Sequence, residues 1–181
     1  MQNKVNTSGV TLIELLVTMA IMAVLSALAV PSMRQFVGNW QVSNAVNVFM
    51  GSLQLARAEA VKRGRTVRMC RSDNGRSCGA GNNLPDGWTS GWIVFVDNDG
   101  IGLNVTDGDQ VLYTQGVLSN FDSIISNAPR AIAYGPTGTL KGGAGMQGMT
   151  FNWDADAKIT KAICINYTGR AFVTPSVADC S

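Results

Sequence analysis

The sequence has no histidine among its 181 residues, which removes the commonest general base and the commonest metal-binding side chain of enzyme sites. Glutamate is almost missing as well. Glu14 and Glu59 are the only two, and the other carboxylates are aspartates set mostly in turn-like stretches. The four cysteines include no Cys-x-x-Cys pair, so zinc has no spacing to support it. The formal net charge is only +2, too small to demand a nucleic acid partner for the molecule as a whole. No serine is expected to stand in nucleophile-elbow spacing. These absences point away from catalysis, and neither an enzyme activity nor a cofactor is expected.

Charge is scarcest between Val10 and Val30, where 21 residues carry one ionisable side chain, Glu14. As a helix this run is about 31 Å long, roughly the thickness of bilayer hydrocarbon. A secretory signal peptide would have a shorter apolar core and a small-residue exit of the Ala-x-Ala kind. Here the run follows a short polar leader, Met1 to Gly9 with Lys4, and continues through Pro31 without such an exit. An ordinary membrane anchor fits the length but gives no reason for Glu14. A carboxylate inside hydrocarbon is costly and marks a functional site whose partner has to be named.

Beyond Pro31 apolar residues recur three or four apart, at Met33, Phe36, Val37, Trp40, Ala45, Val46, Phe49, Leu53, Ala56 and Ala60. That spacing predicts an amphipathic helix, and Gly64 after Lys62 and Arg63 supplies a stop. One helix is therefore expected from Thr11 to Arg63, bent or loosened near Pro31. After Gly64 short branched and aromatic stretches alternate with turn signals. Strands are expected at Arg65–Cys70, Trp92–Asp97, Gln110–Thr114, Phe121–Ser126, Arg130–Tyr134, Met149–Trp153, Lys161–Asn166 and Ala171–Thr174. The Gly-rich stretch from Gly138 to Gly148 reads as a flexible loop, because no helix follows to make it a phosphate cradle. The expected class is α+β, a long helix against an antiparallel sheet. Its parts are a leader at 1–9, a membrane or filament-core helix at 10–30, an amphipathic helix at 31–64 and a β domain at 65–181.

Seven of the 14 basic residues, Arg57, Lys62, Arg63, Arg65, Arg68, Arg71 and Arg76, fall within twenty positions. Acidic residues dominate from Asp86 to Asp122. Within that stretch Asp97-Asn98-Asp99-Gly100, with Asp107 and Asp109, offers hard oxygen ligands suited to calcium. No closing glutamate is present, and Asx-rich turns arise for backbone reasons alone. Four cysteines in a chain with an export-type N-terminus imply two disulfides. Cys70–Cys78 with Cys164–Cys180 is the preferred pattern, and Cys70–Cys164 is its main rival.

Gly9-Val10-Thr11-Leu12-Ile13-Glu14 resembles the class III prepilin signal of type IV pilins and type II secretion pseudopilins. Leu55 to Gly64 and Gly91 to Asp97, with Cys164 and Thr168-Gly169-Arg170, resemble the GspH/FimT branch of that superfamily. The resemblance implies that a prepilin peptidase cuts after Gly9 and methylates Val10, where the family usually has Phe. It implies that Glu14 meets the N-terminal amine of a neighbouring subunit during assembly. It also implies a single-pass inner-membrane protein with its β domain in the periplasm, partnered by other pilins or pseudopilins. The implied role is a minor pilin that primes a type IV pilus, with a type II secretion pseudopilin and a pilus DNA-uptake receptor as the alternatives. Some members of the branch resemble DNA-uptake receptors with a C-terminal Gly-Arg-x-Arg motif. Here Gly169-Arg170-Ala171-Phe172 keeps only the first arginine, and Arg65, Arg68, Arg71 and Arg76 are the residues that would compensate for the missing one.

Overall fold

In the computed structural model the described residues are 9–79, 87–100, 102, 105–106, 108–126, 131–142, 146–154 and 159–180. The chain divides into two compact units, residues 1–37 and 38–181. Helix α1 spans Leu12–Arg63 and is followed by β1 (Thr66–Arg71), β2 (Trp92–Asp97), β3 (Gln110–Gln115), β4 (Ser123–Ser126), β5 (Ala131–Tyr134), β6 (Gln147–Asp154), β7 (Ile159–Ile165) and β8 (Ala171–Thr174). A single 3-10 turn, Val177–Asp179, precedes the C-terminus.

The helix begins one residue later than expected and ends where Gly64 adopts φ +62°, with Arg65 N–H reaching back to the Ala60 carbonyl at 3.3 Å. Glycine takes that conformation without a Cβ clash. Helical assignment is uninterrupted through residue 31, so the expected loosening at Pro31 does not break the element.

In the second unit the helix buries Val42, Ala45, Val46, Phe49, Leu53, Ala56 and Ala60, one stripe at helical spacing. The sheet expected as one is two. The strand order is β3-β2-β1-β5 in the first sheet and β4-β6-β7-β8 in the second, with every neighbour antiparallel. Both sheets contribute to a single core with the helix. Val67, Met69, Val94 and Ile132 come from the first sheet, and Ile124, Met149, Phe151 and Ile163 from the second. At its centre Phe49 meets Trp88, Trp92 and Phe151 edge-on, with centroids 5.6, 5.0 and 5.5 Å away. Trp92 is fully buried, and its indole N–H donates to Ser52 Oγ at 2.9 Å. Ser52 in turn donates to the Val48 carbonyl at 3.0 Å, so no polar group at that point is left unmatched.

Alternate residues of β2 face the other way. Ile93 and Phe95 form a second small cluster with Cys70 and Ala131, against which Cys78 and Val105 pack. That covering explains why all six residues of β2 are buried. The covering loop is held by Cys70–Cys78, while Cys164–Cys180 ties the C-terminal turn to β7, with Cα separations of 5.6 and 5.5 Å. Both local pairings are the expected ones, and the Cys70–Cys164 alternative is excluded. Replacing Cys70 and Cys78 by alanine is expected to cost about 2.5 kcal/mol, and replacing Cys164 and Cys180 about 3 kcal/mol, from loop-closure entropy. Urea midpoints of the detergent-solubilised chain measure both losses, and the longer loop should show the larger.

Tyr134 is fully buried at the end of β5, and among the described residues its hydroxyl has no hydrogen-bond partner. Burial pushes its phenol up to about 12, against a weaker opposing pull from Arg57. A phenol whose folded value exceeds the unfolded 10 stabilises the fold fully below pH 10 and loses that contribution as pH rises through about 12. The loss amounts to about 2–3 kcal/mol. Tyr134→Phe should leave stability at pH 7 unchanged or higher, since no bond is lost, and should remove this alkaline step from a pH series of unfolding midpoints.

Candidate functional site

The N-terminal turn is built by Thr11. Its hydroxyl accepts the Glu14 backbone N–H at 3.4 Å, and its carbonyl accepts the Leu15 N–H at 3.2 Å. Thr11 therefore caps α1 and places Glu14 in the first turn, where the helix dipole favours a carboxylate. The spacing Thr-x-x-Glu is half of a capping box and was the available signal for this role. Gly9 and Val10 precede the helix and are exposed. Among the described residues a Cβ at Gly9 would meet nothing within 4 Å.

The helix of the first unit is apolar and exposed all round, with Leu12 at 81% and Leu28 at 73% exposure. By length and composition it is sufficient to cross a membrane. Its two hydroxyls between Leu12 and Val30 are satisfied within the helix. Thr18 donates to the Leu15 carbonyl at 2.9 Å and Ser26 to the Met22 carbonyl at 2.7 Å, as apolar surroundings demand. Glu14 is the exception in this stretch: among the described residues its carboxylate has no hydrogen bond or ion pair.

Of the five arginines singled out for DNA, two are engaged by carboxylates of the β domain. Arg68 points from β1 to Asp97 of β2, with Nε to Oδ2 2.5 Å and side chains 19% and 1% exposed. Arg71 is buried and pairs with Asp73 at 2.9 Å. The Asp73 carboxyl is held below its usual range chiefly by Ser90, with burial opposing and Arg71 adding to the lowering. Arg65, Arg76 and Arg170 are exposed, but on three different elements. Arg65 lies at the helix–β1 junction and donates to Asn98 Oδ1 at 3.3 Å. Arg76 lies in the Cys70–Cys78 loop, and Arg170 in the β7–β8 turn of the other sheet. Gly169 has a structural reason to be glycine: its φ is +80°, and a Cβ would run into the Gly138 carbonyl oxygen and Tyr134. Arg57, outside the DNA set, anchors the same turn by donating to the Thr168 carbonyl at 3.1 Å.

Of the acidic group, Asp97, Asp99 and Asp109 bring carboxylate oxygens within 4.8 Å of one another, while Asp107 lies outside the described residues. Protein donors already serve these oxygens. Asp97 accepts from Arg68 and from the Gly100 N–H at 2.8 Å. Asp109 accepts the Asn98 N–H at 2.8 Å and the Thr106 N–H at 3.0 Å, and Asp99 accepts the Thr106 hydroxyl at 2.8 Å. The geometry closes the β2–β3 turn, with the Arg68 guanidinium as its positive charge.

Gly75-Arg76-Ser77-Cys78-Gly79 does carry the Gly-x-Ser-x-Gly spacing of a nucleophile elbow. It sits in a disulfide-closed loop between two strands, not in a strand-to-helix turn, and the chain offers Ser77 no histidine. Ser77 Oγ instead accepts from the Asn74 amide at 2.8 Å.

Comparison with known proteins follows this geometry. Residues 45–169 match the family model described as type II transport protein GspH, and residues 4–30 match the prokaryotic N-terminal methylation motif. No curated protein sequence matches the chain. Two crystal structures of the type IV minor pilin FimU of Pseudomonas aeruginosa are similar in fold. One has a TM-score of 0.50 at 15% identity, covering 74% of this chain and 88% of that one. The other has a TM-score of 0.47 at 14% identity, covering 74% and 92%.

Proposed function

The chain belongs to the GspH family of type II transport proteins, and from that premise we propose that it is a minor pilin that helps to prime a type IV pilus. The observation that carries the proposal is the Glu14 carboxylate, which among the described residues has no side-chain partner, in an apolar stretch where Thr18 and Ser26 are both satisfied within the helix. A charge held at such a cost in apolar surroundings needs compensation from outside its own side-chain shell. Cleavage after Gly9 supplies it, because Val10 then carries a free amine four residues before Glu14, immediately ahead of the helix. The exposure of Gly9 and Val10 fits access by a prepilin peptidase.

The mechanism is assembly by charge matching. In the inner membrane the processed helix holds its carboxylate near the bilayer edge, with the β domain on the periplasmic side. When a second subunit docks, its new amine meets Glu14 in a low-dielectric environment, where an ion pair gains far more than it would in water. The surrounding apolar surface, uncovered in the single chain, packs against neighbouring helices. A pseudopilin of a type II secretion system is the second reading, favoured by the family description itself. The two predict different losses. Deleting the gene should abolish surface pili with exoprotein secretion intact; loss of secretion with normal piliation would instead select the pseudopilin.

A further inference from the structure

Between β3 and β4 the chain crosses from the first sheet to the second as an arch pinned at both ends. The Leu118 N–H donates to the Thr89 carbonyl at 2.8 Å, and the Asp122 N–H to the Asn152 carbonyl at 3.0 Å. From Ser119 to Asp122 the arch borders an open cleft of about 540 Å³, whose other walls are Gln41 of α1 and Trp153 of β6. That volume lies within the ordinary range of small-molecule sites. The arch and Gln41 also line a second cavity of about 210 Å³, to which Asn44 contributes.

The Trp153 ring is held in place by the fold itself. Its indole N–H donates to Gln41 Oε1 at 2.5 Å, and the ring lies against the helix where a Cβ on Gly38 would run into it, a close approach open only to glycine. The bond to the indole occupies the Gln41 amide oxygen and leaves its NH2 donors over. Among the described residues no protein group takes those donors, and none pairs with the side chains of Ser119 or Asn120. Asn120 stands apart in this. The other described asparagines of the β domain, Asn74, Asn98, Asn152 and Asn166, all bond within turns or between strands. The larger cleft is lined by one acid, Asp122, and by no basic residue.

We propose that this cleft binds a neutral glycan. Amide and hydroxyl side chains both donate and accept, as sugar hydroxyls require. An anionic ligand would meet a carboxylate and no cation to offset it. Trp153 and Phe121 supply apolar ring surface for the C–H faces of a sugar, and a ring already fixed in position loses little freedom on binding. A purely apolar ligand would cover Gln41 and Asn120 without matching them, which costs affinity. The inference stands whichever machine the chain serves.

Saturation-transfer NMR of the full-length chain, in a detergent without a sugar headgroup, tests it. Chitotetraose and maltotetraose are the neutral probes, and an oligogalacturonate is the anionic one. Saturable binding of a neutral probe is expected, weakened about tenfold by Asn120→Ala. Tm should not change in that variant, since the Asn120 side chain has no partner among the described residues. Gln41→Glu keeps an acceptor for the indole, replaces the free donors by charge, and should weaken binding as well. Chitotetraose alone would assign amino-sugar strands, maltotetraose alone plain glucans, and binding of both the shared chemistry. Absence of saturable binding by either neutral probe at millimolar concentration overturns the proposal. So does binding that both substitutions leave unchanged, or oligogalacturonate bound as tightly as the neutral probes.

Discussion

Glu14→Ala is expected to leave membrane insertion intact or improved and to cut incorporation into the filament at least tenfold. The two effects have opposite signs for one physical reason. On insertion scales a mid-helix charge costs about 2.5–3.5 kcal/mol, and less near the end of the run where Glu14 stands, so removing it eases entry into hydrocarbon. Assembly loses a carboxylate–amine pair, and a tenfold deficit corresponds to only about 1.4 kcal/mol. At 4 Å an ion pair in a partly buried setting exceeds that, at about 4 kcal/mol for an effective dielectric of 20. Glu14→Gln separates charge from shape: it keeps size and hydrogen bonding, and should still assemble poorly. Quantitative immunoblotting of sheared filaments against membranes gives the ratio. Normal incorporation of both variants would show that the carboxylate is unmatched in the filament as well.

The second large effect lies in the core. Phe49 has no exposed surface and touches three aromatic rings edge-on, from the Gly87–Trp88 segment, β2 and β6. Phe49→Ala is expected to cost about 3–5 kcal/mol, because the rings around it belong to both sheets and cannot all collapse into the cavity. Against a typical total of 5–15 kcal/mol that is a large share, equivalent to a fall in Tm of roughly 10–15 °C. Phe49→Leu keeps most of the volume and should lose less than half as much. Thermal melts followed by tryptophan fluorescence suit both, since Trp88 and Trp92 flank the site. A fall of under 5 °C for alanine would mean that the helix is not the keystone of a shared core.

How far the sequence revealed this follows from which interactions are local. Every expected strand is present, with ends within two residues, because alternation and turn residues act over a few positions. Gly64 marked the helix end for the same reason, whereas the spacing of the cysteines left the local pairing and its Cys70–Cys164 rival both open. What the sequence hid was non-local. That β1 pairs with β5 while β4 pairs with β6 depends on which apolar faces find each other across the core, and alternation within a strand is silent about that. So one expected sheet became two. The basic cluster shows the same limit: its sequence did not reveal that Arg68 pairs with Asp97 and Arg71 with Asp73, partners supplied by a neighbouring strand in one case and a tight turn in the other. Glu14 was legible because its oddity is purely local, one charge in an uncharged run.

The most direct measurement is the intact mass of the chain recovered from the membranes or filaments of its own cells. The account predicts a protein that begins at Val10, with residues 1–9 gone, one added methyl group and two disulfides in place. A protein that still begins at Met1 would leave Glu14 without the amine assigned to it and would contradict the mechanism at its root.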